Sequence, residues 1–92
     1  MSKRVYFLAH GGVVQGVGFR YFVQKKAVEY HVTGWVRNTD DNKVEGEAQG
    51  NADSVSQFLK HVDDGPRHAH VVRLDKKDLD IIDGEDRFQV RH

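Results

Sequence analysis

The spacing of apolar residues changes abruptly across residues 14–20. Before this stretch Val5, Phe7 and Ala9 alternate with other residues, which is typical of a strand, and after it the apolar spacing is helical. Residues 14–20 are therefore predicted to form a strand-to-helix turn. Because the first N–H groups of a helix have no backbone partner and the helix dipole adds positive charge there, such a turn can hold an anion.

The residues of this turn indicate which kind of anion site it forms. Gly16 and Gly18 let the chain curl so that several N–H groups point inward, and Arg20 adds a planar fork of donors that matches two phosphate oxygens. An ATP-binding P-loop needs Lys and then Ser or Thr where this chain has Val17 and Gly18, and the dinucleotide fingerprint lacks its third glycine. Val14 occupies the place of the nucleophile of cysteine phosphatases. The stretch predicts a phosphate or carboxylate cradle without a covalent nucleophile, and a simple glycine-rich turn with a solvated arginine remains the alternative.

Composition limits the other classes of function. Ninety-two residues with 38% apolar content predict one domain over residues 1–92. Fourteen basic and fourteen acidic residues cancel, which argues against nucleic-acid and anionic-membrane partners. We find no apolar run of transmembrane length and no signal-peptide core, so a cytoplasmic protein is expected. The absence of cysteine excludes disulfides, thiolate catalysis and cysteine metal sites.

The remaining patterns complete a β-α-β-β-α-β-β order. The predicted elements are a strand at 4–13, a helix ending near His31, a hairpin of strands 34–39 and 43–49, a helix from Asn51 to Gly65, a strand at 71–74 followed by a charged stretch at 76–80, and a strand at 87–91. This order predicts an α+β fold, the ferredoxin-like sandwich, with a mixed five-stranded sheet and both helices on one face. Right-handed crossovers are expected to place the first strand in the middle of the sheet.

Two motifs closely resemble those of the acylphosphatases. Residues 12–20 read Gly-Val-Val-Gln-Gly-Val-Gly-Phe-Arg, and residues 34–38 read Gly-Trp-Val-Arg-Asn. Further matches at 44–50, 65–66 and 88–91 extend the resemblance over nearly the whole chain. The resemblance implies a ferredoxin-like enzyme that hydrolyses acyl phosphates to a carboxylate and inorganic phosphate.

Residue roles follow from the same resemblance. It implies that the phosphoryl group is held by the loop formed by Gln15, Gly16, Val17, Gly18, Phe19 and Arg20. Arg20 is then the binding and catalytic arginine, and Asn38 positions the attacking water. The strand that ends at Asn38 is expected to run beside the first strand, close to the loop. We expect no cofactor and a cytoplasmic monomer. The pair His68 and His70 has no evident third ligand, so no metal is assigned.

One position departs from the family pattern. Many members have glycine where this chain has His31, directly after the first helix, at a place expected to need a left-handed backbone.

Two other classes of function remain open. An RNA-recognition module shares the element order, but residues 15–22 do not match its aromatic motif and lie on the wrong strand. A regulatory domain that binds phosphate, a carboxylate or carbamoyl phosphate without turnover is the other alternative.

Overall fold

The computed structural model describes residues 1–12, 17–66 and 69–91. Its elements follow the predicted β-α-β-β-α-β-β order, and the predicted fold class is confirmed. The elements are β1 (Ser2–Gly12), α1 (Val17–Glu29), β2 (Thr33–Asn38), β3 (Val44–Asn51), α2 (Ala52–Asp64), β4 (His70–Leu79) and β5 (Phe88–Val90). Among the described residues, no helix is long and apolar enough to cross a membrane.

The strands form one mixed sheet in the order β4-β1-β3-β2-β5. β1 is antiparallel to β3 and β4, and β2 is antiparallel to β3 and parallel to β5. Two predicted details are wrong, because β3 rather than β1 is the central strand, and β3 lies between β1 and β2. Since β1, β2 and β5 run in the same direction, their carboxyl ends reach the same edge of the sheet.

The core lies between the two helices and one face of the sheet. α2 packs on β1, β3 and β4, while α1 packs on β2 and β5. The rings of Phe7 and Phe58 meet edge to face at 5.8 Å, the geometry that aromatic quadrupoles favour. The apolar side chains of α2 that face the sheet are buried. The buried core includes Val5, Phe7, Ala9, Val23, Ala27, Val36, Val44, Ala48, Val55, Phe58, Leu59 and Val62.

β4 is longer than the pattern indicated. It pairs with β1 without interruption from Leu74 to Leu79, so the predicted charged stretch is strand rather than loop. β4 is an edge strand, and most of its side chains after Leu74 are charged and at least partly exposed. Charged residues are tolerated there and discourage pairing with other chains, so their abundance does not exclude a strand.

Both helices end in recognisable caps. At the end of α1, Val32 N donates to Ala27 O at 2.8 Å and His31 N donates to Val28 O at 3.2 Å, which is the Schellman pattern. His31 has φ of 58°, as the expected left-handed position requires. α2 begins with the Asn51 side chain accepting from the backbone N–H of Asp53 at 3.0 Å, and it ends at Gly65.

The other face of the sheet is partly covered by the segment between β4 and β5. Arg4 is only 2% exposed there, and its guanidinium donates to Glu47 at 2.7 Å and to Glu85 at 2.9 Å. Burial by itself lowers the pKa of Arg4, but the hydrogen bonds to Glu85 and Glu47 outweigh it and raise that pKa. Gln49 fixes the same segment through two hydrogen bonds of 2.8 Å to the backbone of Ile82.

Candidate active site

The candidate site lies at the edge of the sheet where β1, β2 and β5 end. β1 leads there through a bulge between His10 and Gly11, and α1 begins at the same edge after residues 13–16. Gly11 has φ of 151°, and a Cβ on it would lie 1.9 Å from the His70 carbonyl oxygen, so the bulge requires glycine. The fold therefore brings the start of α1 and the end of β2 to one place.

The first turn of α1 supplies the predicted anion donors. The helix begins at Val17, so the backbone N–H groups of Val17, Gly18 and Phe19 have no acceptor within the helix, and the side chain of Arg20 adds charged donors beside them. Gln15 and Gly16, the other two predicted ligands, lie outside the described residues.

Gly18 lies in the first turn of α1. Its backbone is helical rather than left-handed, and no heavy atom of the described residues lies within 4 Å of where its Cβ would be. Within the described part of the chain, the missing side chain leaves space beside the first turn of α1.

Arg20 is held against the end of β5. Its side chain is only 7% exposed, and Nη1 donates to the Arg91 carbonyl at 2.7 Å. One turn later on the same face of α1, Gln24 donates to the Phe88 carbonyl at 3.1 Å. Gln24 therefore lies on the side of α1 that β5 covers. The two bonds fix the start of α1 to β5.

Asn38 contains an unusual buried acceptor. It lies at the end of β2, on the same face of the sheet as the core residue Val36, two positions earlier. Its Oδ1 atom is buried and has no hydrogen-bond partner among the described residues. Such an atom costs roughly 1–3 kcal/mol if it stays unpaired, which indicates that it is kept for a ligand or water.

Asn38 is placed at this edge, although β2 is not beside β1. It pairs with Val44 of β3, which pairs in turn with Ala9 of β1, so the three residues form one row across the sheet. Two strand spacings of about 4.8 Å separate Asn38 from β1. The other neighbour of β2 is β5, and Arg91, the residue after β5, donates its N–H to the Val36 carbonyl at 2.8 Å.

The turn after Asn38 is fixed by its own polar residues. Thr39 and Lys43 close it through a 2.8 Å backbone bond from Thr39 N to Lys43 O. The Asp41 carboxylate accepts hydrogen bonds from the Thr39 hydroxyl and the Lys43 ammonium. These bonds, of which the one from Thr39 has the larger effect, lower the pKa of Asp41 to about 2. Asp41 is therefore ionised at neutral pH and contributes to the fixed shape of the turn.

The geometry gives no support to a metal centre in the described part of the chain. We find no group of three or more His, Cys, Asp or Glu side chains there that could hold a metal ion. His68 lies outside the described residues, and His70 begins β4.

Sequence reasoning did not identify Arg91 and Trp35 as part of this region. The ring of Trp35 faces away from the helices and lies against two arginine side chains. The resemblance covers Arg91 but gives it no role, because its carbonyl reaches Arg20 through a contact between distant parts of the chain.

Known proteins are similar to this chain in sequence and in fold. The family model described as Acylphosphatase matches residues 5–90. An acylphosphatase of Geobacillus thermodenitrificans is 43% identical over 98% of this chain and 95% of its own length. An acylphosphatase of Bifidobacterium longum is 47% identical over 87% of this chain and 84% of its own. The crystal structure of acylphosphatase from Bacillus subtilis superposes with a TM-score of 0.90 at 34% identity, and both chains are covered completely.

Proposed function

This chain belongs to the acylphosphatase family, and from that premise we propose that it hydrolyses the carboxyl-phosphate bond of small acyl phosphates by direct attack of water. The products are a carboxylate and inorganic phosphate. The observation that carries the proposed mechanism is the buried Oδ1 of Asn38, which has no hydrogen-bond partner among the described residues and lies at the edge of the sheet where α1 begins.

The phosphoryl group binds at the start of α1. The N–H groups of residues 17–19, which have no acceptor within the helix, donate to its oxygens, and the helix dipole favours its negative charge. Gln15 and Gly16 complete this loop in the proposal, as the family motif implies. Arg20 supplies charge-assisted hydrogen bonds, and these strengthen as charge builds on the phosphoryl oxygens in the transition state.

Asn38 orients the attacking water. Its Oδ1 accepts a hydrogen bond from the water, which removes the cost of the unpaired acceptor and fixes a water lone pair toward phosphorus. An amide is not a base, so it positions the water without taking its proton.

The chemistry balances without an added nucleophile. The water oxygen forms a bond to phosphorus as the bond from phosphorus to the acyl oxygen breaks, and the electron pair leaves with the carboxylate. The protons of the water go to the phosphate and to solvent. Since a carboxylate is a stable leaving group, the step needs mainly positioning and charge stabilisation. The chain has no cysteine, so no thiolate intermediate is formed.

We also propose a domain organisation, an oligomeric state and a cellular location for the enzyme. Residues 1–92 act as one domain and as a monomer, in the cytoplasm, without a metal ion, a cofactor or a nucleic-acid partner. A domain that binds phosphate or carbamoyl phosphate without turnover is the competing function. The Oδ1 of Asn38, which lacks a partner in the described part of the chain, argues against it, because phosphate oxygens without protons offer no donor to this acceptor.

Benzoyl phosphate hydrolysis in excess EDTA tests the proposed function. We expect turnover by the wild type, a loss of roughly 10³-fold or more in kcat/KM for Arg20→Ala, and a loss of roughly 10²-fold, mainly in kcat, for Asn38→Ala. Gln57→Ala, an exposed polar residue of α2, is the matched control and is expected to behave as wild type. Absence of turnover by the folded wild type would favour the binding domain, and loss of turnover in EDTA that added metal restores would contradict metal-independent hydrolysis.

A further inference from the structure

Trp35 has no part in the mechanism proposed above, yet its surroundings connect it to Arg20. It lies in β2 between the buried residues Gly34 and Val36, so its side chain emerges on the sheet face opposite the helices. The guanidinium carbon of Arg91 lies 4.5 Å from the ring centroid, and that of Arg37 lies 5.7 Å from it. Both distances fall within the range in which a cation is attracted to an aromatic face.

The two arginines differ in their other contacts. Arg37 is bound by the carboxylate of Glu45 on β3, at 2.6 Å from its Nε. Arg91 follows β5, its N–H donates to the Val36 carbonyl at 2.8 Å, and its own carbonyl accepts from Nη1 of Arg20 at 2.7 Å. Of these two arginines, Arg91 is the one with a direct hydrogen bond to the candidate phosphate-binding side chain.

We propose that Trp35 and Arg91 are positioning residues for Arg20. The indole ring holds the Arg91 side chain, and this fixes the backbone of Arg91 so that its carbonyl keeps the Arg20 guanidinium at the edge of the sheet. The inference rests on the proposed role of Arg20 in binding the phosphoryl group.

The physical reason is that few backbone hydrogen bonds fix the end of the chain after β5. Among the described residues, β5 pairs with β2 from Phe88 to Val90, and Arg91 adds one further hydrogen bond. Arg20 is long and has many rotamers, so a carbonyl that stays in place reduces the ordering required when phosphate binds. Without the ring contact, the Arg91 carbonyl holds Arg20 less well.

The expected size follows from the contact energy. A cation over an aromatic ring at a partly exposed site changes an equilibrium constant by about two- to fivefold. Loss of the contact should therefore weaken phosphate binding by about that factor, rather than by the much larger factor expected when Arg20 itself is removed.

The test compares the wild type with the five single variants named below and with one double variant. The dissociation constant of inorganic phosphate is measured by calorimetry, and kcat and KM are measured with benzoyl phosphate. The variants are Arg91→Gln, Trp35→Leu, Trp35→Phe, Arg37→Gln and Arg20→Ala. Arg91→Gln keeps the backbone carbonyl and removes only the cation, Trp35→Phe keeps an aromatic face, and Arg37→Gln removes the other cation as a matched control.

We expect Arg91→Gln and Trp35→Leu each to raise the phosphate dissociation constant and KM by about two- to fivefold, with Trp35→Phe recovering most of the loss. The double variant Trp35→Leu/Arg91→Gln should be no worse than either single variant, because both changes remove one contact. Arg37→Gln should match the wild type. Full phosphate affinity in folded Arg91→Gln, or an equal loss in Arg37→Gln, would overturn the inference.

Arg20→Ala separates this inference from the proposed function. If Arg20→Ala loses phosphate binding and turnover while Arg91→Gln keeps both, only the positioning inference fails. If Arg20→Ala keeps both, the proposed role of Arg20 fails and the inference fails with it.

Discussion

Asn38 and Arg20 show how single polar atoms separate a site from the rest of a fold. Most buried polar atoms in a protein are paired, so the Oδ1 of Asn38, which has no partner within residues 1–12, 17–66 and 69–91, is an exception that requires a reason. Arg20 is nearly buried as well, but its guanidinium is bonded to the Arg91 carbonyl. One residue therefore has an acceptor reserved for a ligand or water, and the other has a charge fixed in place.

Replacing Asn38 should separate stability from activity. Asn38→Ala removes an unpaired buried acceptor, so we expect the free energy of unfolding to stay equal or to rise by up to about 1 kcal/mol while kcat falls. Asn51→Ala is the matched control, because the oxygen of Asn51 accepts from Asp53 N at 3.0 Å and caps α2. That change should lower the free energy of unfolding by about 1 kcal/mol. Urea unfolding measures both, and a similar large loss for Asn38→Ala would show that its oxygen is paired.

At the scale of elements, the ends of α1 have different roles. At its start, the N–H groups of residues 17–19 have no acceptor within the helix and lie at the candidate site. At its end, the Schellman hydrogen bonds around His31 close the last turn. The sequence predicted both helices to within a few residues, because apolar spacing and caps are local signals. It missed the contact of Gln24 with β5 and the full length of β4, because both depend on partners far away in the chain.

The end of α1 offers a test of backbone strain. His31 has φ of 58°, which a residue with a Cβ adopts at a cost of about 1 kcal/mol, while glycine adopts it freely. We expect His31→Gly to stabilise the protein by about 0.5–1 kcal/mol and to raise Tm by a few degrees without changing kcat. Glu29→Gly, within the last helical turn, is the control and should lower Tm. A lower Tm for His31→Gly would contradict the prediction.

At the scale of the whole molecule, the segment from β4 to β5 crosses the sheet face opposite the helices and brings β5 beside β2. Arg4 anchors this segment by its bonds to Glu47 and Glu85. The segment thereby places Arg91 where it meets Arg20. The fold class followed from element order alone, but the neighbours of β2 did not, because strand pairing depends on contacts between distant segments.

Arg4 is the residue whose loss should affect the whole fold. Arg4→Met leaves the mostly buried carboxylates of Glu47 and Glu85, which are 22% and 18% exposed, without their cation. Breaking such a buried cluster costs about 3–5 kcal/mol in the free energy of unfolding. Lys3→Met is the control, because Lys3 is partly exposed, its pair with Asp78 is 4.0 Å long, and its loss should cost under about 1 kcal/mol. Equal effects in urea unfolding would show that the cluster does not hold the segment.

The central claim is that water attacks phosphorus at the site between the start of α1 and Asn38, at one edge of the sheet. Hydrolysis of benzoyl phosphate in oxygen-18-labelled water, followed by mass spectrometry of both products, tests it most directly. We predict one labelled oxygen in inorganic phosphate and none in benzoate, because the bond between phosphorus and the acyl oxygen is the one that breaks. Label in benzoate would mean that water attacks the carbonyl carbon, which would contradict the roles given to Arg20 and Asn38.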